Sequence, residues 1–137
     1  MATHVERGQR IAEALRERPV GESLWDALVG AVLAQFEVQS RPPDGRYAAG
    51  LQKLLAEPAV QQEVFRAHAT AQDELTGAIA ERTGTKTDDL YPHIVASVVS
   101  AALGMALTRW TRDPTGSVTP LLREVFDQIR AGLPEPR

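Results

Sequence analysis

Side chains able to carry out chemistry are few in this chain, and their spacing limits what they can do. The three histidines, His4, His68 and His93, are not at metal-ligand spacing with one another, and neither a His-Glu-x-x-His nor a Glu-x-x-His pair occurs. With no cysteine there is no thiolate metal site and no disulfide framework, which fits a reducing compartment. Asp88 and Asp89 are adjacent acids of the kind that complement a helix dipole at its start. No glycine-rich phosphate loop and no nucleophile elbow are present. These patterns argue against an enzyme and imply neither a metal nor a cofactor.

Binding chemistry is the remaining possibility, and its candidates sit on helical stripes. His68 falls in register with Val64, Ala71, Leu75 and Ile79, a spacing that predicts a buried stripe. A polar group buried there without a partner costs about 1–3 kcal/mol, so a protein group, a water or a ligand must hydrogen-bond it. Gln72, one turn on, either joins His68 or faces solvent. Trp25, Phe36, Tyr47, Phe65 and Trp110 are core residues by default. In a chain with only 5% aromatics, two or three of them are expected to line a pocket, with Tyr47 offering a hydroxyl at its rim.

Helices must position these side chains, because no strand alternation, internal repeat or low-complexity run appears. The pattern predicts six helices, an all-α fold. The first runs from Val5 to Arg18 with Ile11, Ala12 and Leu15 inward and stops at Pro19 and Gly21. The second starts at a capping box of Ser23 and Asp26 and runs to about Gln39, carrying Leu24, Trp25, Leu28, Val29, Val32, Leu33 and Phe36. That face is broad enough for contacts on more than one side. A turn at Ser40–Pro43 follows, then a third helix from Gly45 to Ala56 with Tyr47, Leu51, Leu54 and Leu55 inward. Pro58 opens a long fourth helix, ended by Gly84. The fifth occupies Pro92 to Trp110 after a turn holding Leu90 and Tyr91. The sixth runs from about Val118 to Ala131, with Val118, Leu122, Val125, Phe126 and Ile129 on one face.

The fifth helix makes the strongest demand. Between His93 and Arg109 it has no charge, and its apolar residues point in every direction, so it must be covered all round. It falls short of the ~20 residues of a membrane span, so the cover is expected to be protein. Burying Ile94, Val95, Val98, Val99, Leu103 and Leu107 is worth ~1.5–3 kcal/mol each, against a total stability of ~5–15 kcal/mol. Two arrangements satisfy that demand: a monomer with this helix at its centre, or, the preferred one, a homodimer in which the last two helices pair across a two-fold axis. Small residues at Ala96, Ser97, Ser100, Ala101 and Gly104 would let a partner helix approach closely.

At 137 residues the chain fits one domain, 1–137. A net charge of -3 and a pI near 5.6 do not suit a nucleic-acid surface. The polar, charged start MATHVERGQRIAEALRER is unlike a secretory signal, which points to a cytoplasmic protein with no membrane partner.

The segments RIAEALRERPVGESLWDAL, LAEPAVQQEVF, AIAERTGTKTDDLYPHIVASVVSAALGMALTRW and PLLREVFDQIRAGL, in their helical order, resemble the C-terminal regulatory domain of TetR-family transcriptional repressors, in particular the actinobacterial MftR-like branch. The resemblance covers about Gln9 to Leu133. It implies a six-helix domain that dimerises through a four-helix bundle of the last two helices, placing Ser97, Ser100, Ala101, Gly104, Val118, Leu122, Val125, Phe126 and Ile129 at the interface. It also implies a pocket for a small hydrophobic or aromatic effector, lined by Trp25, Val32, Phe36, Tyr47, Leu51, Phe65, His68, Gln72, Val95 and Val99. Binding would move the first helix and change the spacing of paired DNA-reading helices. Family members carry a basic helix-turn-helix domain before the first helix, and none precedes Met1 here. DNA contact is therefore expected only through a domain missing from this chain, removed from a fragment (the preferred reading) or lost. A dimerisation module packed solid, with no pocket, is the competing reading.

Overall fold

The computed structural model of the chain describes residues 4–36, 50, 53–54, 56–113 and 116–136. Among them there are five helices and no strand: α1 (His4–Glu17), α2 (Leu24–Phe36), α3 (Pro58–Thr83), α4 (Leu90–Arg112) and α5 (Thr119–Arg130). Most of the third predicted helix, Gly45 to Ala56, lies outside the described residues, as does the Ser40–Pro43 turn. Gly50, Lys53 and Leu54 are helical.

Each helix begins and ends for a local reason. Ser23 caps α2 by accepting the Asp26 amide at 3.2 Å, the expected half of the capping box. The Asp26 carboxylate does not close the other half, because it pairs with Arg130 instead. Pro58 sits in the first turn of α3, where a missing amide breaks no helical bond. At its other end Gly84 takes the left-handed conformation (φ 68), and the Thr85 amide turns back to the Ala80 carbonyl at 3.0 Å. α4 starts at Leu90 rather than Pro92, so Leu90 and Tyr91 belong to the helix and not to a turn. Proline in a first turn interrupts no intrahelical bond, so the helix extends back through it.

The helices close a ring. α1 packs on α2, α2 on α5, α5 on α4, α4 on α3 and α3 back on α1, with α2 also touching α3. α2 and α4, the two most apolar helices, do not pack directly on each other among the described residues. They face across the interior. There Ile11 and Leu15 of α1, Leu28, Val32 and Phe36 of α2, Leu75 and Ile79 of α3, Val95 and Val99 of α4, and Leu122 and Phe126 of α5 form one core.

At 23 residues α4 is long and apolar enough by composition to cross a membrane, and a third of its most apolar stretch is buried in the chain. The length comparison made from Pro92 to Trp110 therefore does not hold. Packing decides instead, since Pro92, Val95, Ala96, Val99, Ala102 and Ala106 are buried on one side of α4.

Candidate functional site

The interior between α2 and α4 is the one place where several predicted binding residues meet. Val32 and Phe36 come from α2 and Val95 and Val99 from α4, all buried in the same core, with Trp25 half-buried against it. Leu75 and Ile79 of α3 and Leu122 and Phe126 of α5 belong to the same core. The polar side chain buried among them is Thr76, and its hydroxyl is used up by the Gln72 carbonyl at 2.8 Å. Among the described residues this interior presents apolar surface and no acid, base or nucleophile.

His68 and Phe65 are not part of it. Both are exposed, Phe65 at 75%, because α3 has 26 residues and outruns the ring. Only Leu75, Thr76, Ala78, Ile79 and Ala80 are buried along it. The stripe from Val64 to Ile79 is real in register, but along its first half Val64 and Ala71 are only half-buried and His68 is exposed. Phe65 instead borders an open surface groove with Pro58, Gln61, Gln62 and Arg66. Gln72 donates to the Ser97 hydroxyl at 3.1 Å, and Ser97 donates to the His93 carbonyl at 2.8 Å. A residue predicted for the pocket thus meets one predicted for the interface, tying α3 to α4. Tyr47 and Leu51 lie outside the described residues.

The predicted interface residues divide in two. Ser97, Ala101 and Gly104 are exposed on the outer side of α4, with Ser100 half-buried beside them. Sequence reading asked for cover over Ile94 but named neither it nor Leu90 or Met105 at the interface: Leu90 is 75% exposed, and Ile94 and Met105 are each 50% exposed. Their helical spacing with Ala101 is the signal that would have found them. On α5 the outcome differs. Val118, Leu122, Val125 and Phe126 are buried inside the protomer, and Ile129 is half-buried against the same core. α5 is amphipathic, and its single apolar stripe is already used against α2 and α4.

A second feature is polar and lies where α1, α3 and α5 end and α2 begins. Arg16 pairs with Glu81 at 3.0 Å. Arg18 grips Glu22 with two bonds of 2.7 and 2.6 Å, and Asp26 meets Arg130 at 2.6 Å. The Arg18 hydrogen bonds hold the Glu22 carboxyl below its ordinary value. Arg130, then the Ser23 hydroxyl, do the same for Asp26. Glu22 in turn raises the Arg18 guanidinium. The Arg18 guanidinium lies over Gly30, where an added methyl would come within 2.8 Å of its Cζ.

Residues 22–134 match the family described as the MftR C-terminal domain. Over 132 residues the chain is 29% identical to a protein of Mycobacterium tuberculosis (strain H37Rv) named as a candidate mycofactocin biosynthesis transcriptional regulator, MftR. The match takes in 96% of this chain and 65% of that relative, so the chain spans just under two thirds of the relative's length.

Proposed function

Because the chain belongs to the MftR C-terminal domain family of TetR-type transcriptional regulators, we propose that it is the effector-binding and dimerisation domain of a cytoplasmic TetR-family repressor. The observation that carries this reading is the family match falling on a chain with two apolar surfaces of opposite kind. One is the interior wall of Val32, Phe36, Val95 and Val99, and the other is the outward face of α4. The interior suits a small apolar or aromatic effector, with Trp25 at its edge and Tyr47 and Leu51 as further lining residues. Ile94, Ala101, Gly104 and Met105 would meet the same residues of a second copy, since a two-fold interface pairs a patch with itself. DNA would be read by a separate helix-turn-helix domain, coupled through α1, and no catalysis is involved.

One observation favours a different reading. Val32 and Val99 are completely buried and Phe36 and Val95 nearly so, as in a solid core with no room for an effector. A thermal-shift screen of apolar and aromatic compounds separates the two. Effector binding gives a saturable rise in melting temperature for a structurally related set of compounds. A packed dimerisation module gives none at any concentration.

A further inference from the structure

We propose that Arg82 is a latch that makes α1 and the last turns of α3 a single moving body. Arg82 stands in the last turn of α3, a place where a cation needs no partner beyond the helix dipole. Its guanidinium is directed instead at the corner between α1 and α2. It donates to the carbonyls of Arg18 at 3.3 Å, Pro19 at 2.5 Å and Glu22 at 3.1 Å. Its Nε is left buried without a partner, so the group gives up one bond in order to hold three.

The chemistry suits arginine and no other side chain. Carbonyl oxygens at the end of a helix have no intrahelical donor, and a planar fork can serve several at once where an ammonium acts as a point charge. Pro19 follows α1, and its carbonyl accepts both Arg82 and, in the turn, the Glu22 amide at 3.2 Å. A second tie lies one residue earlier on α3, the Glu81–Arg16 pair. Arg16 runs beside Gly77 of α3, where an added methyl would sit in ordinary contact 3.6 Å from its guanidinium. Both ties hold the C-terminal end of α3 to the end of α1, and the Arg82 tie reaches on to Glu22 just before α2. Between α1 and α2, by contrast, the Arg18–Glu22 bond closes within the corner itself.

A tilt of the last turns of α3 therefore carries the α1–α2 corner through Glu22, and α1 with it. This rests on the regulatory reading above only for its consequence, that α1 passes the motion to a DNA-reading domain. In that role Arg82 is a positioning residue.

Cysteine is absent from the sequence, so spin labels can be placed uniquely at the exposed positions Glu13 of α1 and Thr70 of α3 through Glu13→Cys and Thr70→Cys. Doubly labelled chain is diluted into unlabelled chain so that only distances within one protomer are read. The native protein should give one narrow distance distribution. Arg82→Gln should broaden and shift it, and should speed exchange of the Glu22 amide about tenfold or more, as loss of charge-assisted hydrogen bonds implies. Arg82→Lys, which keeps the charge and loses the fork, should do the same and remains informative if Arg82→Gln does not fold. A residue that only stabilises the fold would lower the melting temperature and leave the distance of the folded protein unchanged, and that result overturns the latch. The outcome is independent of effector binding, which the thermal-shift screen reads separately.

Discussion

Ile94→Glu is the substitution expected to split the proposed dimer while leaving the protomer folded. Ile94 is 50% exposed on the outer face of α4, so roughly half of its hydrophobic worth is already unspent in the single chain. Full burial of such a side chain is worth ~1.5–3 kcal/mol, and the exposed half therefore ~0.8–1.5 kcal/mol. A two-fold interface contains the residue twice, so losing it removes ~1.5–3 kcal/mol. That alone weakens the dimer ~10–150-fold, since ~1.4 kcal/mol is a factor of ten. Two carboxylates brought together in a desolvated interface raise the penalty further. Sedimentation velocity at micromolar concentration is the assay, with circular dichroism to verify that helix content is kept. The native chain should sediment as a species of twice 14.9 kDa and the variant at 14.9 kDa. A native chain that is already monomeric, or a variant as dimeric as the native protein, refutes the assignment of this face.

Two further outcomes follow from the core and the polar end. Phe126 is 1% exposed, so Phe126→Ala should lower the unfolding free energy by ~3–5 kcal/mol in urea titration, enough to unfold a domain of ordinary stability in part. Glu22 and Asp26 are held below their ordinary carboxyl values in the folded state, so their contribution is present above the unfolded carboxyl range near pH ~4. It is lost as pH falls through the lower folded values. In acid titration followed by NMR, Gly30→Ala should move the Glu22 carboxyl back toward its ordinary value, because the new methyl displaces the Arg18 guanidinium, while Asp26 stays put.

Much of the helical plan is legible in the chain because helices are local. Proline 58, Gly84 and Ser23 mark ends that the structure keeps, and Ile11, Ala12 and Leu15 are buried as their spacing requires. Burial along α3 was not legible. Periodicity places Val64, His68, Ala71, Leu75 and Ile79 on one face, but how far a neighbour extends beside that face depends on the lengths and crossing of other helices. His68 is exposed for that reason. The same limit applies to α5, whose apolar stripe reads identically whether it meets its own core or a partner's. Arg82 left almost no sequence signal, since a basic residue in a last helical turn is ordinary and only the fold brings the α1–α2 corner to it.

The most direct test of the central claim is a pair of melting curves with a stabilising apolar compound from the screen, one on the native chain and one on Val99→Trp. Val99 is completely buried in the core that α2 and α4 share, so the larger ring occupies space an effector would need. At a hundred times its dissociation constant the compound adds ~2.7 kcal/mol, a rise of ~5–20 °C for a domain of this size. The effector-domain account predicts that rise in the native chain and its loss in Val99→Trp, which stays dimeric. A rise of equal size in both proteins, or no stabilising compound at all, would contradict it.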